Sequence, residues 1–354
     1  MLTFVIPTNK RPRELYISAR SIADQIQQLT SETEVRIIIV DNGSGSDSQK
    51  IINGLVEKYS FISTIRYEDN IDYAVAQKRM MVAAPDSEWV WSFGDDDRLL
   101  PGALKFMVDY LKTVPDEVAF IHVAEASRIS GTNGIISGTL LDLCRNIGWI
   151  EMTGFITGNI TRGKLLAEST ETSRWRDYAK SAFVHSCALL EHLKDKQAQL
   201  VEIACIATQN KEQTKECMDI WLEQNIPTRY LYMSDCLRLM FEDGILTEKL
   251  PKKFFRYLNI PIWDRFIISF TSEYLNKNLM TDDRLWSCVV QFLDYLEDGE
   301  EKNNILEDIH AAKGISHLHH YIKMNLTGLE TELQGIFARA NVPVYPYSFL
   351  TPAE

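Results

Sequence analysis

Short apolar runs alternate with amphipathic stretches through the first hundred residues. Leu2 to Ile6 and Val35 to Val40 are nearly continuous apolar runs, Phe61 to Tyr67 alternates, and Trp89 to Phe93 is apolar again. Between them Leu15, Ala19, Ile22 and Ile26 recur at helical spacing. Ile51, Ile52, Leu55, Val56 and Tyr59 form a second stripe, and Val75 to Ala84 holds a third. Strands alternating with helices of this length predict βαβ units and a largely parallel sheet. A run such as RIIIV fits a strand covered on both faces. Further along, Pro101 is expected in the first turn of a helix whose face is Leu104, Met107, Val108 and Leu111. Val118 to Ala124 and Gln199 to Ala207 read as strands, and Arg174 to Leu193 as a helix. Ser127 to Thr161 is rich in Gly, Thr, Ser and Asn, which predicts turns, short strands and a mobile loop. Beyond about residue 211 glycine thins and helical periodicity takes over. The expected division is therefore an α/β domain over 1–215 and a helical domain over 216–354, with the boundary near 210–225.

Composition narrows the classes without choosing among them. With 354 residues and 45 % hydrophobic, the chain is long enough for two domains and too apolar for disorder. A net charge of −12 argues against a duplex nucleic-acid partner, which would need a basic face. No apolar run reaches about 18 residues, and MLTFVIPTNKRPR lacks the order of a secretory signal. The six cysteines are scattered, with no C-x-x-C, and read as free thiols. A cytoplasmic location is expected.

Candidate chemistry lies at the strand ends. In an open parallel sheet, ligands bind beyond the carboxyl edge, near the switch point of strand order. Pro7-Thr8-Asn9-Lys10-Arg11, Asp41-Asn42-Gly43-Ser44 and Asp95-Asp96-Asp97 all follow predicted strands and should meet there. Three adjacent carboxylates are costly unless neutralised. Oxygen ligands select Mg²⁺ or Mn²⁺, which share a bound diphosphate, so Asp95, Asp96 and Asp97 are candidate metal–diphosphate ligands. The competing reading is a solvated turn, with Asp97 capping the Pro101 helix. Asp41 could accept a hydrogen bond from a base or a ribose, or could close an Asx turn through Gly43. No G-x-G-x-x-G follows the first strand, which disfavours a dinucleotide site.

In order and spacing, FVIPTNKRPRELYISARSI, VRIIIVDNGSGSD, EDNIDYAVAQKRMMVAA and EWVWSFGDDDRLLPGAL resemble the family 2 glycosyltransferases of GT-A fold. That family shows a Pro-Thr-x-N strand end, a VDDxSxD strand end, an Asn-x-Gly segment and D-x-D-D-x-x-x-P. The resemblance implies a Rossmann-like, mostly parallel sheet flanked by helices, followed here by the helical C-terminal region. It further implies a nucleotide-sugar donor, Mn²⁺ or Mg²⁺, inversion at the anomeric carbon, and a glycan or lipid-linked glycan acceptor. It places Pro7, Thr8 and Arg11 near the nucleotide, Asp41 on the base and Asp96 on the metal, with Asp95 and Asp97 as neighbours on metal or donor. Asp72 stands where Gly is usual and could contact the donor. Lys78 or Arg79 could pair with the diphosphate. Gly94 stands in place of the first Asp of D-x-D. The FGDDDxxxPGAL wording resembles the subgroup that builds bacterial surface polysaccharides, abequosyltransferase-like members included.

The family's general base is an acidic residue at a helix start after a strand resembling FxxGNxxxR. GFITGNITR is present, but Phe183-Val184-His185 stands where Glu-Asp is usual. His185 and Asp177 are the candidates, each with a packing or surface alternative. Trp149 and Trp175 could stack on a sugar, with core packing as the alternative. His317, His319 and His320 read as a surface cluster. The basic residues Lys252, Lys253 and Arg256, beside Phe254 and Phe255 and followed by Trp263, Phe266, Ile267, Ile268 and Phe270, suit a helical core, or a subunit interface with the cations at its rim, or a peripheral contact at the inner membrane face. The competing function classes are a nucleotidyltransferase and a non-catalytic sugar-binding protein of the same fold.

Overall fold

A computed structural model describes residues 1–29, 35–68, 72–125, 134–181, 183–208, 226–257, 260–261 and 290–307. Internal contacts divide the chain into two compact units, Met1–Thr214 and Lys215–Glu354.

The first unit opens as the apolar pattern predicts. β1 (Leu2–Thr8), α1 (Pro12–Ile26), β2 (Val35–Asn42), α2 (Ser46–Lys58), β3 (Ile62–Tyr67), α3 (Tyr73–Met81) and β4 (Trp89–Ser92) follow in βαβ order. The strands β1, β2, β3 and β4 pair in parallel. Then come β5 (Asp97–Leu99), α4 (Ala103–Leu111), β6 (Val118–Glu125), β7 (Ile135–Thr139), α5 (Leu140–Asn146), α6 (Trp149–Thr153), β8 (Asn159–Arg162), α7 (Gly163–Glu168), α8 (Trp175–Tyr178), α9 (Val184–Leu193) and β9 (Gln197–Thr208). The sheet order is β3-β2-β1-β4-β8-β6-β9-β5, with β7 also on β9.

Beyond β4 the sheet is mixed rather than parallel: β4–β8, β6–β8, β5–β9 and β7–β9 are antiparallel, and β6–β9 is parallel. The connection from β8 returns through short helices, which the strand pattern alone could not show. Alternate residues Leu2, Phe4 and Ile6 of β1 and Ile37 and Ile39 of β2 enter one core with Leu15, Ala19 and Ile22 of α1. The intervening Thr3, Val5, Ile38 and Val40 are buried too, so these strands are covered on both faces.

Three local expectations change. Pro101 precedes α4 instead of opening it, and Gly102, at φ 80°, stands at its N-cap. Asp97 is therefore no helix cap; it begins β5. Arg174–Leu193 is two helices, α8 and α9, rather than one. The region from 134 to 161 carries the expected short strands, β7 and the start of β8, together with the helices α5 and α6, which its composition did not predict.

The second unit contains α10 (Ile226–Glu242), a 3-10 turn over Lys252–Phe255, and a small hairpin of β10 (Arg256–Tyr257) with β11 (Ile260–Pro261). Phe254 and Phe255 are 0 % and 1 % exposed, and Phe255 packs edge-on against Phe292. These two rings are therefore core residues, not a membrane-facing surface. Trp263, Phe266, Ile267, Ile268, Phe270 and the histidines at 317–320 lie outside the described residues. Among the described residues, no helix is long and apolar enough to cross a membrane. Cys144, Cys187, Cys205 and Cys236 are buried thiols outside any disulfide.

Candidate active site

Strand order reverses at β1, which has β2 on one side and β4 on the other. The chain leaves β1 for α1 and leaves β4 for β5, so the two exits face each other across this switch point. Thr8 ends β1, and its Oγ1 donates to Asp95 Oδ2 at 2.8 Å. Arg11 stands at the N-cap of α1. Its Nη1 donates to both Asp95 Oδ1 and Asp96 Oδ2, each at 3.1 Å. Residues some 85 positions apart thus meet in one cluster.

The cluster is graded in exposure. Side-chain exposure is 8 % at Asp95, 19 % at Asp96 and 35 % at Arg11. Burial pushes the Asp95 carboxyl up to about 6, against the lowering effect of the Arg11 charge. Lys10 takes a left-handed backbone at φ 54°, a strained conformation for a side-chain-bearing residue. Its N–H is held by Ser44 Oγ at 3.0 Å, and Asn9 donates its amide to the Asn42 carbonyl. These bonds tie the end of β1 to the end of β2.

Asp97 faces elsewhere. It is 5 % exposed and accepts a hydrogen bond from Thr157 Oγ1. The same hydroxyl accepts from the Gly94 N–H at 2.9 Å, while the Thr157 carbonyl accepts from Trp91 Nε1 at 2.7 Å. Thr157, which the sequence did not single out, thereby pins the turn that carries the three carboxylates. Its only signal was adjacency to the Gly158-Asn159 pair. Gly94 has a steric reason. A Cβ there would lie 2.9 Å from Asp97 Oδ2 and from Thr157 Oγ1, and 3.0 Å from Asp96 Oδ1. A side chain at this position would have to displace the oxygens of Asp96, Asp97 and Thr157, and with them the Thr157–Asp97 hydrogen bond.

The end of β2 is built around Asp41, which is fully buried. Oδ1 accepts from the Ser44 N–H at 3.0 Å, and Oδ2 accepts from Gln49, whose Oε1 accepts from Arg66. The Asx-turn alternative is thus the geometry present, and Asp41 has no surface for a base. Beside it, Arg79 lies 3.5 Å over the Tyr67 ring and donates to Asn42 Oδ1 at 3.3 Å. Asp72 caps α3 by accepting from the Val75 N–H. Lys78 is drawn away, donating to the Thr170 carbonyl with its ammonium over Trp175. Pro7 is half-buried within β1.

The two base candidates differ sharply. His185 is 3 % exposed, in α9, which packs on α3 and α6. Its ring lies beside the backbone of Thr153 and Gly154 with no well-formed hydrogen bond at either nitrogen. Desolvation lowers its pKa to about 4, so the ring is neutral and weakly basic. Asp177 in α8 is 37 % exposed and lies 3.2 Å from Lys180 and 3.7 Å from Arg174. Trp149 is 1 % exposed and donates to the Ser186 carbonyl, a core role.

Magnesium and manganese need only one or two carboxylates when a diphosphate supplies further oxygens. Among the described residues, no three His, Cys, Asp or Glu side chains form a complete cage. Asp96, partly exposed beside a second carboxylate, fits such a shared site; Asp97, turned to Thr157, fits a supporting role.

The family model described as "Glycosyl transferase family 2" matches residues 3–179. The chain is 27 % identical over 157 residues to "Succinoglycan biosynthesis protein ExoU" of Rhizobium meliloti (strain 1021). That match covers 42 % of this chain and 43 % of the relative, so less than half the relative's length is spanned. Among solved structures, S. aureus TarS 1-349 in complex with UDP-GlcNAc aligns over 88 % of this chain and 87 % of its own, with TM-score 0.55 and 14 % identity. The shared architecture is the GT-A fold.

Proposed function

The chain belongs to glycosyl transferase family 2, and from that premise we propose that it moves a sugar from a nucleotide-diphosphate sugar to a hydroxyl of a glycan acceptor in bacterial surface-polysaccharide synthesis. The observation that carries this reading is the convergence of Thr8 and Arg11 with Asp95 and Asp96 at the switch point. The similar proteins agree with it: the Rhizobium meliloti relative is a succinoglycan biosynthesis protein, and the S. aureus structure of like fold holds UDP-GlcNAc.

In this reading the nucleotide lies along the ends of β1, β2 and β3. Arg79, already flat on Tyr67, lines the place of the base or ribose. Asp41 shapes that place from beneath through Ser44 and Gln49. Arg11 and the loop of Pro7 and Thr8 lie nearest the diphosphate, and Asp72 orients α3 beside it. A divalent ion, Mn²⁺ or Mg²⁺, would be held by Asp96 with Asp95 behind it, and would supply charge neutralisation on the leaving diphosphate. Asp97 keeps the turn in place through Thr157.

The acceptor hydroxyl must lose its proton as it attacks, with inversion. A ring of pKa about 4 in a dry core is a poor acceptor of that proton, so His185 is assigned to packing; of the two candidates that leaves Asp177, a partly exposed carboxylate, as the base in this reading. The acceptor is a glycan, free or lipid-linked. A homo-oligomer or a membrane contact would fall to the second unit. The first test is a thermal-shift screen of UDP-, GDP- and dTDP-sugars with and without Mn²⁺. Stabilisation by one nucleotide class, enhanced by Mn²⁺, is expected. No stabilisation by any of them would overturn the reading.

A further inference from the structure

The arrangement of Arg11 has a meaning beyond nucleotide contact. One guanidinium nitrogen, Nη1, lies 3.1 Å from a carboxylate oxygen of Asp95 and 3.1 Å from one of Asp96. Asp95 is also fixed by Thr8 and is nearly inaccessible, so it cannot turn to water. Asp96 and Arg11 keep partial exposure, at 19 % and 35 % of their side chains. Two neighbouring carboxylates at a site of low accessibility keep their charge best with a cation between them. Here a side chain supplies it.

We propose that Arg11 is a built-in counter-cation that competes with the divalent ion for Asp96, so that the ion binds weakly until a diphosphate arrives with it. This rests on the metal–diphosphate reading above. The physical argument is one of like charge. A divalent ion on Asp96 must either displace the guanidinium from that carboxylate or bind beside a positive group. Arg11 can withdraw, because a third of its surface already meets solvent; Asp95 cannot. The pairing therefore keeps the carboxylates satisfied in the empty enzyme and penalises occupancy by the ion alone. Donor and ion are then expected to bind as a unit.

The test is Mn²⁺ binding to the purified full chain without nucleotide, read by loss of the free-ion EPR signal. Arg11→Gln is expected to bind Mn²⁺ about tenfold more tightly than wild type or better, the scale on which one charge within about 4–6 Å shifts a carboxylate's proton affinity. Arg11→Lys, which keeps the charge, should stay close to wild type. The gain in Arg11→Gln should vanish in Arg11→Gln/Asp96→Asn, which locates it. Equal or weaker Mn²⁺ binding by a folded Arg11→Gln would overturn the proposal, and so would a gain that survives loss of Asp96. Failure of the parent reading shows separately, as sugar transfer by wild type that is undiminished in EDTA.

Discussion

Two buried polar centres in the first unit solve the same problem in opposite ways. At the switch point Asp95, 6 % exposed, keeps a cation beside it and opens toward solvent through Asp96 and Arg11. In α9, His185 is 3 % exposed, has no charged partner in hydrogen-bonding contact, and is held neutral by desolvation. Charge retained under burial costs free energy and is accompanied here by Arg11, Thr8 and a path outward. His185, neutral and without a path to solvent, has the surroundings of a packing residue.

Variants at either centre test this contrast. The largest effect should come from the proposed base: Asp177→Asn is expected to lower kcat by about 10²–10⁴ with the fold unchanged, as for loss of general-base catalysis. His185→Leu, in contrast, should keep its turnover within a few fold. If steady-state kinetics give the reverse, the assignment passes to His185 and the contrast drawn above collapses. Asp96→Asn should lower kcat by about 10²–10³, the scale of one lost electrostatic contact to developing charge. Its melting temperature should be close to wild type, because a partly exposed strand-end side chain contributes little packing.

Thr157→Val sharpens the picture at the supporting turn. It leaves the Asp97 carboxylate and the Gly94 N–H without their shared partner, at a cost of about 1–3 kcal/mol in stability. Thr157→Ser should restore most of it in denaturant melts.

The smallest effect is a pH dependence at His185. Its pKa falls from the ordinary 6.5 to about 4 on folding, so the unfolded chain binds the extra proton between those values. The contribution is complete above about pH 6.5 and is lost as pH falls toward 4, at a slope of at most about 1.4 kcal/mol per pH unit. Urea melts of wild type and His185→Leu across this window should diverge in slope; parallel slopes would mean that the ring is not desolvated.

Much of this was legible in the sequence, and for physical reasons. The strands β1, β2 and β4 are apolar runs buried on both faces, and β3 alternates with exposed positions, so period and length alone locate them. Their carboxyl ends carry Thr8, Arg11, Asp95 and Asp96, and parallel topology brings such ends together. What was not legible depends on antiparallel return. β8 comes back beside β4 and delivers Thr157 to Asp97, a contact between residues 60 apart with no local signature. The residues alone do not choose between a base contact and an Asx turn at Asp41, because both use the same carboxylate, and the family resemblance points to the base; Ser44 and Gln49 fill the carboxylate here. Burial of His185 could not be read either, since α9 is apolar nearly all round and offers no polar face for comparison.

The central claim is that Asp95 and Asp96, with Arg11 and Thr8, form the diphosphate end of a nucleotide-sugar site. The most direct measurement is release of nucleoside diphosphate from the nucleotide sugar that stabilises the protein, for wild type and Asp96→Asn, in Mn²⁺ and in EDTA. Release by wild type in Mn²⁺ that is lost both in EDTA and in Asp96→Asn is the predicted result. Equal release in all four conditions would contradict it.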